Sequence, residues 1–270
     1  MQDTLRGGYG GSIPANYDRF LRPFLFEKFA DNLVARLDSR PQMRVLELAC
    51  GTGVVTERLA RAVGADATLV ATDLSQAMID CARARLGDIG VAWQAADALQ
   101  LPFADGSFDV ALCQFGWMFF PDKNKAATEV RRVLARGGWL LFNVWESLAR
   151  NEPVEIIQST LDRMLGDEAP TFLHVPYGYN DEPAIARMLE AAGFSDIRIE
   201  SVELSCTSPS AEAVARGFLE GTPAANEFAS HDPSVFARVV AETTSALNQR
   251  FGDGTVQAKL HALVCTAVAA

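Results

Sequence analysis

The chain has 270 residues, 49% of them apolar, and a formal net charge of −10. That length suits one large α/β domain with an insert, or a domain and a half, and the apolar share can fill a sizeable core. The acidic balance argues against nucleic acid, whose binding needs clustered Lys and Arg to displace counterions, and equally against a polybasic membrane anchor. Five cysteines (Cys50, Cys81, Cys113, Cys206 and Cys265) are scattered and lack any C-x-x-C pair. They read as free thiols in a reducing compartment, and no metal site is expected from them. With no apolar leader and no run long enough to span a bilayer, a soluble cytoplasmic protein is expected, monomer or homodimer.

Residues 1–12 are glycine-rich. Ile13–Phe20 follows, and a helix is predicted over Pro23–Leu37, where Leu25, Phe26, Phe29, Ala30, Leu33 and Leu37 recur at helical spacing. Arg44–Ala49 reads as a strand, Val54–Val63 as a helix and Thr68–Asp73 as the next strand. Ser75 then caps a helix that Gly87 stops near Leu86, with Leu74 and Ile79 at hydrophobic-staple positions. Strands follow at Val91–Ala95 and Phe108–Phe115. A helix over Lys125–Leu134 is closed by Gly137-Gly138, and Trp139–Trp145 is the fifth strand. Strands alternating with helices in this way predict a doubly wound, mostly parallel sheet, with the strand C-termini gathered on one ligand-binding edge.

The rhythm breaks after Trp145. A helix is expected over Val154–Leu165, then a loop holding Pro170, His174 and Pro176, then a helix from Pro183 to Gly193. Ile197–Leu204 reads as a strand. Two helices open with Pro at their first position, at Ser208-Pro209 and at Asp232-Pro233. Val256–Val268 is the last strand.

The segment VLELACGTG, residues 45–53, runs a buried strand into a glycine turn and a helix. Such a loop brings backbone close to a ligand. The third glycine of G-x-G-x-x-G is missing, which argues against a dinucleotide, and no G-x-x-x-x-G-K-[ST] phosphate loop is present. The segment resembles the first motif of class I S-adenosylmethionine (SAM) methyltransferases, E/D-x-G-x-G-x-G. Ala49 stands where glycine is most usual, and alanine preserves this loop if its φ is negative. AADALQLPFADGSFDVALCQF, residues 95–115, resembles the D-a-x-x-L-P-F-x-D-x-S-F-D-x-V region of the family that includes the ubiquinone and menaquinone C-methyltransferases. VRRVLARGGWLLF (130–142) and EAAGFSDIRIE (190–200) resemble the same family further along.

Asp73 ends the second strand, where an ionised carboxylate suits the two ribose hydroxyls. Leu74 and Met78 are placed to cover an adenine, although Met78 equally reads as core. The Asp97 carboxylate suits the adenine amino group, and the Ala98 amide a ring nitrogen. The resemblance implies a seven-stranded Rossmann-like fold and carries over Glu47, Ala49, Gly51, Gly53, Asp73, Asp97, Ala98 and Gln114 as SAM contacts. It also implies that Tyr17, in IPANYDRF, belongs to a segment folding over the cofactor.

The leading reading is a SAM-dependent methyltransferase acting at C, N or O of a small apolar or aromatic molecule. Alternatives are a macromolecular methyltransferase, an aminopropyltransferase and a non-catalytic SAM-binding module. Methyl transfer needs alignment and water exclusion, and a base only when the nucleophile must lose a proton. No catalytic residue announces itself. His174, beside Tyr177 and Tyr179, is a better base candidate than His231 or His261. The aromatic run Phe115, Trp117, Phe119 and Phe120, with Trp145, is placed to wall the acceptor. The expected organisation is an N-terminal helical lid at 1–37, a SAM-binding core at 38–145, and substrate-lid insertions with the C-terminal strands at 146–270. Residues 1–12 are expected to order only with cofactor or acceptor present.

Overall fold

The computed structural model describes residues 8–228 and 232–270. The chain enters through one continuous helical run. It begins as α1 (Ile13–Asn16), widens into a π-helix over Tyr17–Phe26, and ends as α2 (Glu27–Val34). Pro23 lies inside the π-helix; a proline cannot donate the ordinary helical bond and clashes with the preceding turn, and a wider coil accommodates it. The helix expected from Pro23 therefore begins earlier, at Ile13. Leu21, Phe24, Leu25, Phe29, Ala30 and Leu33 form the buried face of the run.

The sheet is built around β1 (Arg44–Glu47), which pairs in parallel with β2 (Thr68–Asp73) and β4 (Phe108–Gln114). β3 (Val91–Ala95) pairs with β2, and β5 (Leu134–Trp145) with β4, also in parallel. β6 (Phe194–Ser208) forms the far edge, and β7 (Val256–Ala269) runs antiparallel between it and β5. The order β3-β2-β1-β4-β5-β7-β6 makes one seven-stranded sheet. This is the doubly wound, mostly parallel Rossmann-like arrangement expected. Helices cover both faces of its centre, so the apolar middles of these strands, Val45 and Leu46 in β1 and Ala111 and Leu112 in β4, are fully buried on both sides.

The crossovers are α3 (Val54–Ala62) and α4 (Gln76–Leu86) on one side of the switch point, and α5 (Lys123–Val133) on the other. Ser75 caps α4 by accepting from the Met78 amide, and Gly87 ends it. Beyond β5 come α6 (Glu152–Leu165), α7 (Glu182–Ala191), α8 (Ala211–Glu220), the short α9 (Ala224–Phe228) and α10 (Pro233–Phe251).

Several boundaries differ from those the sequence predicts. β5 starts at Leu134 because Leu134 pairs with Phe108, and a bulge absorbs the glycine pair expected to separate helix from strand. β6 extends past Ile197–Leu204 at both ends because β7 pairs with it from Phe194 to Ser208. α8 starts after Ser210, whose hydroxyl accepts from the Ala213 amide at 3.1 Å, leaving Pro209 outside the helix. Among the described residues no helix is long and apolar enough to cross a membrane.

Candidate cofactor and acceptor site

Strand order reverses between β1 and β4: the chain moves outward through β2 and β3 on one side, and through β5 on the other. Ligands bind at such a switch point, beyond the C-terminal ends of the strands. A cavity of about 510 Å³ opens there, within the ~300–1,000 Å³ range of small-ligand sites. The strand order arranges its walls. Asp97, Ala98 and Leu99 follow β3; Asp73, Leu74, Ser75 and Met78 follow β2; Ala49 and Gly51 follow β1; Gln114, Phe115 and Gly116 follow β4. Tyr9 and Tyr17 close it from the N-terminal segment, and Phe119 and Phe120 from the turn after β4.

Asp73 organises the centre. Its carboxylate accepts from the Gly51 amide at 2.8 Å and from the Ser75 amide at 2.8 Å. Burial pushes its pKa up, and these amides with that of Leu74 pull it back. A carboxylate has about four acceptor sites, so capacity remains for the hydroxyls of a ribose. Leu74 beside it is 47% exposed, an apolar side chain set at the cavity with no protein layer over it. Met78 is buried yet also lines the cavity, so it serves core and cavity wall at once. Asp97 accepts from the Leu99 amide at 2.9 Å, which fixes the turn after β3.

Gln114 donates from its amide nitrogen to the Phe26 carbonyl at 3.2 Å and leaves its Oε1 buried with no hydrogen-bond partner among the described residues. An unpartnered buried acceptor in a cavity wall fits an ammonium donor. The Tyr9 and Tyr17 phenols are held protonated, chiefly by burial, and the Asp73 charge adds to this. The Tyr17 ring stacks on Phe26 at 4.8 Å, and its hydroxyl lies 4.0 Å from where a Gly51 Cβ would stand.

Glu47 and Gly53 do not line the cavity. Glu47 is buried in β1; burial pushes its carboxyl up to about 8, the nearby Asp73 charge adds to this, and the hydroxyl and amide of Thr56 beside it oppose it. Gly53 faces α4 instead, where an added Cβ would lie 2.8 Å from Leu86 Cδ1 and 3.2 Å from Ala82 Cβ. It is needed for close helix–loop contact and for its φ of 81°, both of which act on the loop's shape.

Ala49 does not have the negative φ that suits alanine: its φ is 51°, the left-handed conformation in which glycine is free and alanine is strained. The substituted position therefore keeps the glycine geometry. Its Cβ is accommodated by Gly116 across the cavity wall, where an added Cβ would lie 2.5 Å from that of Ala49. Phe115, also at positive φ (50°), is anchored by its amide donating to Asn143 Oδ1 at 3.0 Å.

The residues expected to face the acceptor divide. Phe115 lines the cavity. Trp145 stacks directly behind it at 3.8 Å, and Tyr177 behind Trp145 at 5.8 Å; both are buried in this column and absent from the cavity wall. Large flat apolar rings gain more from burial in the core than from a half-wet cavity, and the column places them there. Trp117 likewise stacks on Phe142 in the core. His174 is exposed and outside the lining, so the geometry gives it no base role. His261 sits on β7 between Arg150 and Glu203, away from the cavity. His231 and residues 1–7 lie outside the described residues.

Tyr9 is a lining residue the sequence reading missed. Its ring meets Tyr17 edge-on at 6.2 Å and Phe172 at 6.5 Å, and its carbonyl accepts from the Ser75 hydroxyl. The neighbouring Gly8 carbonyl accepts from Asn226 at 3.1 Å. A tyrosine inside a glycine-rich stretch was the available signal.

The sheet and this cavity define a Rossmann-like methyltransferase. Residues 46–142 match the family described as a methyltransferase domain. The chain is 31% identical over 177 residues to the ubiquinone/menaquinone biosynthesis C-methyltransferase of Idiomarina loihiensis, covering 60% of this chain and 70% of that protein. It is 29% identical over 203 residues to the enzyme of the same name from Burkholderia mallei, covering 69% and 83%. Among solved structures it is similar to the Haemonchus contortus phosphoethanolamine N-methyltransferase 2 in complex with SAM (TM-score 0.62, 18% identity, 99% of this chain and 59% of that one), a likeness of fold. The chain belongs to the class I SAM-dependent methyltransferases, in the family of the ubiquinone/menaquinone C-methyltransferases. It is an enzyme of that class, and SAM is its cofactor.

Proposed function

We propose that this enzyme methylates a small, apolar or aromatic molecule, at carbon, reached from the β4 end of the cavity. The observation that carries this is the aromatic lining: Phe115, Phe119 and Phe120 after β4 supply flat apolar walls, and Tyr9 and Tyr17 of the N-terminal segment add two neutral phenols. The name of the similar Idiomarina and Burkholderia enzymes supports carbon as the target atom.

When bound, SAM supplies a methyl group already activated on a sulfonium. The residues present fit it. Asp73 and Asp97 would hold ribose and adenine, with Leu74, Met78 and Ala98 against the adenine face. Gly51 and Ala49 would let backbone approach the amino-acid portion, and the free Oε1 of Gln114 would take its ammonium. Glu47 and Gly53 would act through the shape of the loop. Tyr9 and Tyr17 would exclude water and orient the acceptor, so catalysis rests on alignment. The described residues of segments 1–37, 146–182 and 205–251 would form the cover that selects the acceptor.

The test is incubation with methyl-labelled SAM and a fractionated cell extract. Label is expected in organic-soluble small molecules and absent from protein and RNA. Label in either polymer would overturn the reading.

A further inference from the structure

Arg85, in the last turn of α4, makes contacts that the functional reading so far leaves unused. Its guanidinium donates to the Thr52 carbonyl at 3.0 Å and to the Gly53 carbonyl at 2.9 Å through the same nitrogen, and again to Thr52 at 3.2 Å through Nε. Its remaining nitrogen pairs with Glu57 on α3 at 2.8 Å. These carbonyls belong to the loop whose Gly51 amide is held by Asp73. The loop is thus gripped from both sides: Asp73 takes an N–H at the cavity face, and Arg85 takes carbonyls at the back.

The same guanidinium lies 3.5 Å from Asp18, which also pairs with Arg22 at 3.1 Å. Asp18 follows Tyr17, the residue that closes the cavity opposite Gly51. Arg85 and Asp18 are both 19% exposed at their side chains, so the pair is shielded but not sealed. One planar cation therefore touches the cofactor loop, α3 and the segment that covers the cavity. A guanidinium suits this work because its fork of fixed donors can serve several acceptors at once, which an ammonium cannot do in the same plane.

We propose that Arg85 is a positioning residue for the cofactor: it holds the 51–53 loop in its binding shape and ties the Tyr17–Asp18 segment to that loop, so that cofactor affinity and closure of the N-terminal segment are coupled. The proposal rests on the reading of the cavity as the SAM site.

The test measures S-adenosylhomocysteine affinity by calorimetry for the wild type, Arg85→Met, Arg85→Lys, Asp18→Asn and the Arg85→Met/Asp18→Asn double variant, with thermal melting alongside. Arg85→Met is expected to weaken binding by about tenfold or more, the scale of lost charge-assisted hydrogen bonds. Arg85→Lys keeps the charge beside Asp18 but loses the fork, and is expected to fall between. Asp18→Asn is expected to weaken binding several-fold, and the double variant to lose less than the product of the single effects. Hydrogen exchange over residues 8–20 is expected to slow with S-adenosylhomocysteine in the wild type and much less in Arg85→Lys, a readout that a purely structural arginine would not move. Wild-type affinity in a folded Arg85→Met, or, if that variant does not fold, wild-type affinity and exchange in both Arg85→Lys and Asp18→Asn, would overturn the proposal. Full additivity would overturn the coupling. A wild type that does not bind S-adenosylhomocysteine would instead overturn the assignment of the cavity, and the proposal with it.

Discussion

Ala49 and Gly116 show how one departure from a motif is absorbed by a neighbour. The left-handed backbone at Ala49 costs roughly 1–2 kcal/mol relative to a glycine there, and its Cβ fills the space that Gly116 leaves. Gly116→Ala is expected to destabilise by about 1–3 kcal/mol through overpacking. Adding Ala49→Gly is expected to restore part of that loss, because the closest clash is gone while Cys113 Sγ, 2.8 Å from the new Cβ, remains. Chemical denaturation of the two single variants and the double variant checks this; strict additivity would mean the two sites do not share space. Asp73→Asn replaces an acceptor by a group that can aim only one oxygen at the Gly51 and Ser75 amides. S-adenosylhomocysteine affinity is expected to fall about tenfold or more, and calorimetry reads it.

Glu47 belongs to the same scale but acts on stability. Its carboxyl is raised by burial to about 8 from an ordinary 4.5. The folded state therefore binds a proton that the unfolded state has released between those values. The associated stability is fully present below the unfolded pKa and is lost as pH rises through the folded one. Glu47→Gln removes this dependence. The melting temperature of the variant relative to wild type is expected to climb from about pH 5 to about pH 8; a constant difference across that range would show that the carboxyl is not raised in the folded protein and is already ionised at pH 5.

At the scale of elements, the cavity is closed by pieces that come from far apart in the chain. Tyr9 precedes α1, Phe172 lies between α6 and α7, and Asn226 lies in α9; the first two are joined by an aromatic edge contact, and Asn226 holds the Gly8 backbone. Phe119, after β4, stacks on Phe172 at 5.8 Å and completes the contact with the strand edge. Tyr9→Ala removes a ring from this junction and leaves the sheet untouched. It is expected to speed S-adenosylhomocysteine release by on the order of tenfold, since changes in affinity are carried mostly by the dissociation rate, with little change in melting temperature. Stopped-flow fluorescence during displacement measures it; an unchanged rate would mean the N-terminal segment does not cover the cofactor.

At the scale of the whole molecule, the sheet order sets the direction in which a ligand lies. β3, β2, β1 and β4 present Asp97, Asp73, Gly51 and Gln114 in a row along one edge. The switch point between β1 and β4 supplies the crevice, and the antiparallel β7 with its long partner β6 extends the sheet away from it. The aromatic column Phe115–Trp145–Tyr177 then joins the cavity to the segment after β5.

The sequence by itself determined the alternation of strands and helices, the glycine loop, and the acidic residues that end β2 and follow β3. Those features are local: period, caps and turn chemistry place them within a few residues, while the seven-stranded fold was what the family resemblance implied. It also contained Gln114 as a residue at the end of β4. Only the tertiary structure decided which aromatic rings meet a ligand. Phe115, Trp145 and Tyr177 are all large aromatic residues, yet one lines the cavity and two lie stacked behind it. Stacking order depends on contacts between segments distant in the chain, which no local pattern encodes. The same reason hid Tyr9, whose place is set by Phe172 and Asn226, and Arg85, whose partners lie on the loop, on α3 and on the N-terminal helical run.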